Sequence, residues 1–276
     1  MILGLVQGAT EFAPVSSSGH LILVPWLFGW TFFFRNPELT KTFDVALHIG
    51  TFVGAIVYFW RDIARYLGAW FQSIAARRIR TADERLAWFL VIGTIPGAVV
   101  GAVAEDFIED RLGQPWLIAV MLAVFGVVLF AVDRAARRSR GLEDLKLQDA
   151  VLIGMAQAAA LQPGVSRSGV TITVARGLGL ERPAAARFSF LLSLPIIAGA
   201  GSFKGIGLVQ RGLPAGTAAP FLWGTVASAV SGFVVIWGLL AYLRRRDFAP
   251  FAVYRLLAAA GVLGVIAAGL RPAGGL

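Results

Sequence analysis

Long apolar runs separated by short polar interruptions make up most of the chain, and their lengths sort them into two kinds. Six runs are long: Phe43–Trp60, Leu86–Ala104, Trp116–Val132, Phe188–Phe203, Pro220–Leu243 and Leu256–Leu270. Each approaches the ~20 apolar residues that cross a hydrocarbon core, and together they predict six transmembrane helices. Two regions depart from this pattern. Residues 1–30 break into the short pieces Met1–Ala9 and Leu21–Trp30 around a polar centre, and Ala150–Leu180 repeats that arrangement. None of these pieces spans alone. Irregular backbone at membrane depth needs protein or a water-filled cavity around it, so each region predicts a re-entrant helix–loop–helix hairpin.

The two hairpins echo each other. Gly4–His20 lies over Gly154–Val170 without a gap, and Gly4, Gln7, Ala9, Val15, Ser16, Ser18 and Gly19 recur at Gly154, Gln157, Ala159, Val165, Ser166, Ser168 and Gly169. A second echo follows downstream: Phe43-Asp-Val-Ala-Leu47 against Phe188-Ser-Phe-Leu-Leu192, leading to Gly54-Ala55 and Gly199-Ala200. The pattern predicts an internal repeat, residues 1–132 and 150–270, within a single membrane domain covering 1–276.

Composition narrows the class. Of 276 residues, 57% are hydrophobic and 15% charged, with a mean hydropathy of +0.74. A soluble domain carries about 25% charged residues, so an all-α polytopic membrane protein is expected. The net charge of +9 would suggest nucleic acid in a soluble chain. Here the arginines gather in short loops: Arg61, Arg65, Arg77, Arg78, Arg80 and Arg85, with an amphipathic piece around Tyr66–Ile74; Arg134, Arg137, Arg138 and Arg140; Arg244 to Arg246. The positive-inside rule accounts for them as cytoplasmic loops, with the acidic stretch Glu105–Asp110 outside and no nucleic-acid partner. Three predicted spans then separate the hairpins, which must enter from opposite faces. That is an inverted-topology repeat, in which broken helices meet near the midplane. The absence of cysteine excludes disulfides, thiolate metal sites and a Cys nucleophile. The apolar start, Met1–Gly4, lacks the basic region of a cleavable signal peptide.

Candidate chemistry sits in the hairpin tips, Glu11–His20 and Gln162–Thr171. Ionisable groups inside a membrane mark function by default. Arg167 presents a donor fork suited to phosphate oxygens, and helix starts near Ser18 and Ser168 would add backbone N–H groups. Glu11 and His20 supply proton transfer. Ser17 is a nucleophile candidate beside that base, with water polarised by a divalent cation on Glu11 as the other route. Ser16 and Ser18 can also serve simply as helix caps. His48, alone in its span, is expected to pack or to support the site. Asp44 and Arg187 occupy nearby places in the echoed segments, as an ion pair or as part of the site. Trp26, Trp30, Trp60 and Trp116 are expected at the membrane interfaces.

At these tips the sequence resembles the bacterial undecaprenyl-pyrophosphate phosphatase family of the bacitracin-resistance type. Gln7-Gly-Ala-Thr-Glu11 with Pro14-Val-Ser-Ser-Ser-Gly-His20, and Pro163-Gly-Val-Ser-Arg-Ser-Gly-Val-Thr171, are its two signatures; Ala186–Leu192 extends the likeness. The resemblance implies hydrolysis of a C55 isoprenoid diphosphate to the monophosphate, recycling the lipid carrier of cell-wall synthesis. It implies catalytic roles for Glu11, Ser17, His20 and Arg167, and diphosphate binding by Ser16, Ser18, Ser166, Ser168 and Thr171. It also implies dependence on Mg²⁺ or Ca²⁺, with Glu11 and Gln7 as metal ligands. Gln7 stands where other members carry a second glutamate, and its neutral oxygen holds a cation less firmly. The expected partners are the isoprenoid diphosphate and membrane lipid, with a homodimer left open. The expected place is the bacterial cytoplasmic (inner) membrane, with the site opening to the outer side. Architecture alone leaves a secondary transporter or lipid flippase as the rival.

Overall fold

The computed structural model describes residues 1–31, 37–136, 139–211 and 216–274, with the side chains of 105–111 and 202–211 outside the description. Among the described residues the chain is helical, with one isolated bridge between Arg140 and Leu180 and no strand. The described residues form ten helices: α1 (Ile2–Glu11), α2 (Ser17–Phe28), α3 (Pro37–Ala76), α4 (Ala82–Leu112), α5 (Pro115–Ala135), α6 (Leu147–Ala159), α7 (Arg167–Gly177), α8 (Arg182–Arg211), α9 (Ala218–Leu243) and α10 (Ala249–Ala267). Six of them, α3, α4, α5, α8, α9 and α10, are long and apolar enough to cross a membrane. The four short ones form the two helix–loop–helix pairs, α1–α2 and α6–α7.

Boundaries shift where charge hid helical continuity. The stretch from Arg61, predicted as a cytoplasmic loop with an amphipathic piece around Tyr66–Ile74, continues α3 as far as Ala76. Phe59, with φ −95° and ψ 15°, kinks the helix there. Beyond the kink Tyr66, Ala69 and Ser73 are buried, so an amphipathic continuation packs one face and leaves its arginines outside. Thr81 then starts α4 through a capping box: its hydroxyl accepts from Glu84 N–H at 3.2 Å while the Glu84 carboxylate accepts from Thr81 N–H at 3.0 Å. The backbone of 105–110, predicted as an acidic outer loop, is the end of α4; the side chains of 105–110 lie outside the described residues, as do Arg137 and Arg138. Arg187 pairs with Asp62 at 2.6 Å. Trp26 is fully buried, its indole donating to Pro272 O at 3.0 Å. It is a core residue because α2 lies inside the bundle, whereas Trp60 and Trp116 stay exposed.

Packing is reciprocal between the halves α1–α5 and α6–α10. The first helix of each half lies against the fourth of the other, α1 on α9 and α6 on α4, and the pairs α5–α10 and α3–α8 join equivalent members. Small residues make the close approach feasible, as membrane helix contacts require. A Cβ at Gly4 would stand 2.2 Å from the Gly224 carbonyl oxygen, and one at Gly154 would stand 2.4 Å from that of Gly93. This arrangement is compatible with the repeat read from the sequence. At the far end of α7, Asp133 accepts from Arg176 Nε at 2.8 Å and from Arg182 Nη2 at 2.7 Å. The α7 C-terminus is thereby tied to α5 and α8, which fixes where its N-terminus points.

Gly154→Ala should lower the melting temperature of detergent-solubilised protein, because overpacking costs about 1–3 kcal/mol. Gly68→Ala is the control: a Cβ there meets nothing within 4 Å, and better helix propensity should leave stability unchanged or raised. Equal melting temperatures for the two variants would refute the close-contact account.

Candidate active site

Each short helix pair turns on a serine. Ser16 and Ser166 both have φ 74°, a left-handed value that non-glycine residues adopt at a cost, and one that clusters at functional sites. Each caps the helix after it, Ser16 Oγ accepting from Gly19 N–H at 3.4 Å and Ser166 Oγ from Gly169 N–H at 3.1 Å. The residue after each cap is the first of its helix, Ser17 in α2 and Arg167 in α7. The two loops also bond to each other. Gly164 N–H donates to Ser16 Oγ at 3.0 Å, and Ser168 Oγ donates to Ala13 O at 3.0 Å. Two helix starts, each with free N–H groups and a partial positive charge, therefore converge.

Glu11 lies where they meet. Its Oε1 accepts from Arg167 Nη2; its Oε2 accepts from Ser17 Oγ at 2.5 Å and from Gln7 Nε2 at 2.9 Å. Such a carboxylate is buried only because cation and donors surround it. The pair Ser17–Glu11 has nucleophile-to-base geometry. His48 Nε2 stands 3.6 Å from Glu11 Oε2. Its Nδ1 donates to Asp44 O at 2.7 Å, so Nε2 is the atom turned to the site.

A cavity of about 310 Å³ opens beside this cluster. Its lining combines polar residues, Glu11, Ser16, Ser17, Ser18, His48, Gln157, Ser166 and Arg167, with aliphatic ones such as Val45, Leu161, Ile196 and Ile197. Six of the sequence candidates, Glu11, Ser16, Ser17, Ser18, Ser166 and Arg167, line this space, and His48, expected to pack or to support the site, lines it with them. The remaining candidates lie elsewhere. Ser168 sits in the joint between the loops. Thr171 is fully buried, donating to Arg167 O at 2.7 Å and bonded to Ser189 Oγ at 2.6 Å. His20 reaches neither Glu11 nor Arg167. Its Nδ1 donates to Ser16 O at 2.7 Å, which leaves Nε2 bonded to the Tyr254 hydroxyl at 2.7 Å. Gln7 adjoins Glu11, and its Oε1 is buried without a partner among the described residues.

One residue of the site escaped the sequence reading. Arg255, in α10, is fully buried and donates to five carbonyls: Leu122 and Met121 of α5, Pro14 of the first loop, Gly164 and Val165 of the second. It is a positioning residue that staples both loops to the bundle. Its signal in the sequence is a lone arginine at the edge of an apolar run.

Comparison with known proteins agrees with this picture. The model of the family described as bacitracin resistance protein BacA matches residues 1–261. The chain is similar to the undecaprenyl-diphosphatase of Desulforudis audaxviator, at 49% identity over 93% of each chain. It is also similar to the proteins of that name from Pelobacter propionicus, 45% identical over 98% of this chain and 97% of the relative, and Pelotomaculum thermopropionicum, 45% identical over 97% and 96%.

Arg255→Met should separate the loops and strand their carbonyls, at a cost on the order of 3 kcal/mol. The expected readings are a lower melting temperature and faster limited proteolysis at residues 12–16 and 162–166. Wild-type protection at both loops would contradict the stapling role.

Proposed function

The chain belongs to the bacitracin resistance protein BacA family, and from that membership we infer that it is an undecaprenyl-diphosphatase of multi-pass membrane architecture. It hydrolyses undecaprenyl diphosphate to undecaprenyl phosphate and inorganic phosphate. The observation that carries the site assignment is one cavity lined both by the bonded group Ser17, Glu11 and Arg167 and by aliphatic side chains. An amphipathic substrate fits it head inward, its diphosphate on the arginine and helix starts and the first isoprene units on Val45, Leu161 and Ile197.

In this mechanism Ser17 Oγ attacks the terminal phosphorus while Glu11 takes its proton. The bond from that phosphorus to the bridging oxygen breaks, and undecaprenyl phosphate departs with the proton that Glu11 had taken. Glu11, ionised again, deprotonates a water that cleaves the phosphoseryl bond; it passes that proton to the departing Ser17 Oγ as inorganic phosphate is freed. Arg167 and the N-termini of α2 and α7 stabilise charge on the transferring group. His48 adds a polar contact at the cavity wall. His20, bonded to Ser16 O and Tyr254, holds the first loop and acts on the reaction through it.

Among the described residues no three His, Cys, Asp or Glu side chains form a cluster. The donors present fit a cation shared with the substrate, since Mg²⁺ often takes one or two carboxylates plus phosphate oxygens. Glu11 and the unpartnered Gln7 Oε1 would hold Mg²⁺ or Ca²⁺, which would offset diphosphate charge when bound. Arginine-rich turns between spans support a cytoplasmic-membrane orientation in which the site opens to the outer side. The reciprocal packing of the halves supports an inverted-topology repeat across domain 1–276.

Purified protein should release phosphate from C55 and C15 isoprenyl diphosphates, and Arg167→Ala should slow release about 10²–10³-fold. Release unaffected by Arg167→Ala would remove this site from the reaction. Ser17→Ala should abolish most turnover, and a quenched single turnover of wild type should yield phosphoserine at 17; near-normal turnover by that variant would instead assign the attack to water.

A further inference from the structure

We propose that Gln157 is a substrate-binding residue whose side-chain amide donates hydrogen bonds to a phosphate oxygen of the prenyl diphosphate. The inference deepens the phosphatase reading and rests on it for the identity of the ligand. Gln157 lies near the end of α6 and is 2% exposed. Both its Nε2 and its Oε1 are buried without a hydrogen-bond partner among the described residues. Buried amide groups are bonded almost without exception, and an unbonded one carries the full loss of its hydration. This one nonetheless lines the cavity that holds Glu11, Ser17 and Arg167. Among the described residues that line it, Gln157 is the one polar side chain besides the loop-tip residues and His48, the rest being Val45, Ala160, Leu161, Ile196, Ile197, Ala200 and Gly201. Space is kept for it: a Cβ at Gly97 would stand 3.3 Å from Nε2.

The repeat explains why the amide is unmatched. Gln157 recurs from Gln7, and Gln7 satisfies its amide N–H on Glu11, one helical turn onward, at 2.9 Å. One turn beyond Gln157 the chain carries Leu161. The acceptor that the first hairpin supplies from within is missing from the second, on the side that faces the cavity. A diphosphate oxygen is an acceptor of the same charge and hydrogen-bonding character as the absent carboxylate. Charged acceptors also make the stronger bonds.

The sign of the stability effect separates this role from a structural one. Gln157→Leu, and Gln157→Met as a second variant closer in shape, replace an unbonded amide with carbon. The ligand-free melting temperature should therefore stay level or rise. Binding of farnesyl methylene-diphosphonate, read by its thermal protection of the protein, and kcat/KM for farnesyl diphosphate should both fall about ten- to a hundredfold. Gln157→Glu should lose more, because it sets a negative charge against the phosphate. Either apolar variant keeping kcat/KM and analogue affinity within about twofold of wild type would overturn the proposal, as would full activity in Gln157→Glu. Failure of wild type itself to release phosphate would count against the phosphatase reading, while the analogue-binding comparison would still decide the role of Gln157.

Discussion

An ionised carboxylate held inside an apolar bundle is the constraint around which this molecule is built. Glu11 is buried, and burial of a bare charge is untenable. It survives because Arg167, Ser17 and Gln7 converge on its two oxygens from three helices. Arg167 belongs to the second half of the chain and Glu11 to the first. The ion pair therefore requires that the halves associate in one register, and the same contacts that stabilise the charge assemble the reacting groups. Arg167 sits at one end of α7 and Arg176, paired to Asp133, near the other. A short helix that could not hold its place alone is thus fixed at both ends by ions.

The backbone around this pair is positioned by a second cation. Arg255 has no carboxylate beside it among its bonds; it spends its donors on carbonyls that the loops leave unpaired. Loops of this kind cannot exist in hydrocarbon unless something satisfies their backbone. Serines do the complementary task for the N–H groups, Ser16 accepting from its own helix start and from the opposite loop. Left-handed φ values at Ser16 and Ser166 are the conformational cost of placing Ser17 and Arg167 at the tips. Rigid support of this sort lets hydroxyl, carboxylate and guanidinium meet within bonding distance before substrate arrives.

Much of this was legible in the sequence, for physical reasons. Hydropathy locates the six long helices because crossing a bilayer sets their length. The two short helix–loop–helix pairs were legible because their apolar pieces are too short to cross, an arrangement compatible with re-entrant hairpins. What hydropathy misread was α3 beyond Phe59: an amphipathic piece around Tyr66–Ile74 was legible, but the charges before it hid that it continues the span as one kinked helix. Neighbourhood in sequence also misdirected the two histidines. His20 shares a loop with Glu11 but projects from α2 toward Tyr254, whereas His48 is distant in sequence and reaches Glu11 across the α1–α3 contact. Arg255 and Gln157 were invisible as site residues for the same reason: their importance comes from what they do or do not bond in three dimensions.

The same architecture could carry a substrate across the membrane, so what separates catalysis from transport is the content of the cavity. A transport site needs groups that hold an anion reversibly; arginine and helix N-termini would suffice. It has no need of a serine hydroxyl bonded at 2.5 Å to a carboxylate, the arrangement that the proposed nucleophilic attack requires. The aliphatic residues in the same lining add a second requirement. In the proposed reaction they would order the isoprenoid beside the head group and keep water from the phosphorus, which strengthens charge interactions there. An apolar tail and a polar reaction centre are thus two demands that one cavity, lined by polar tips and aliphatic side chains, can meet.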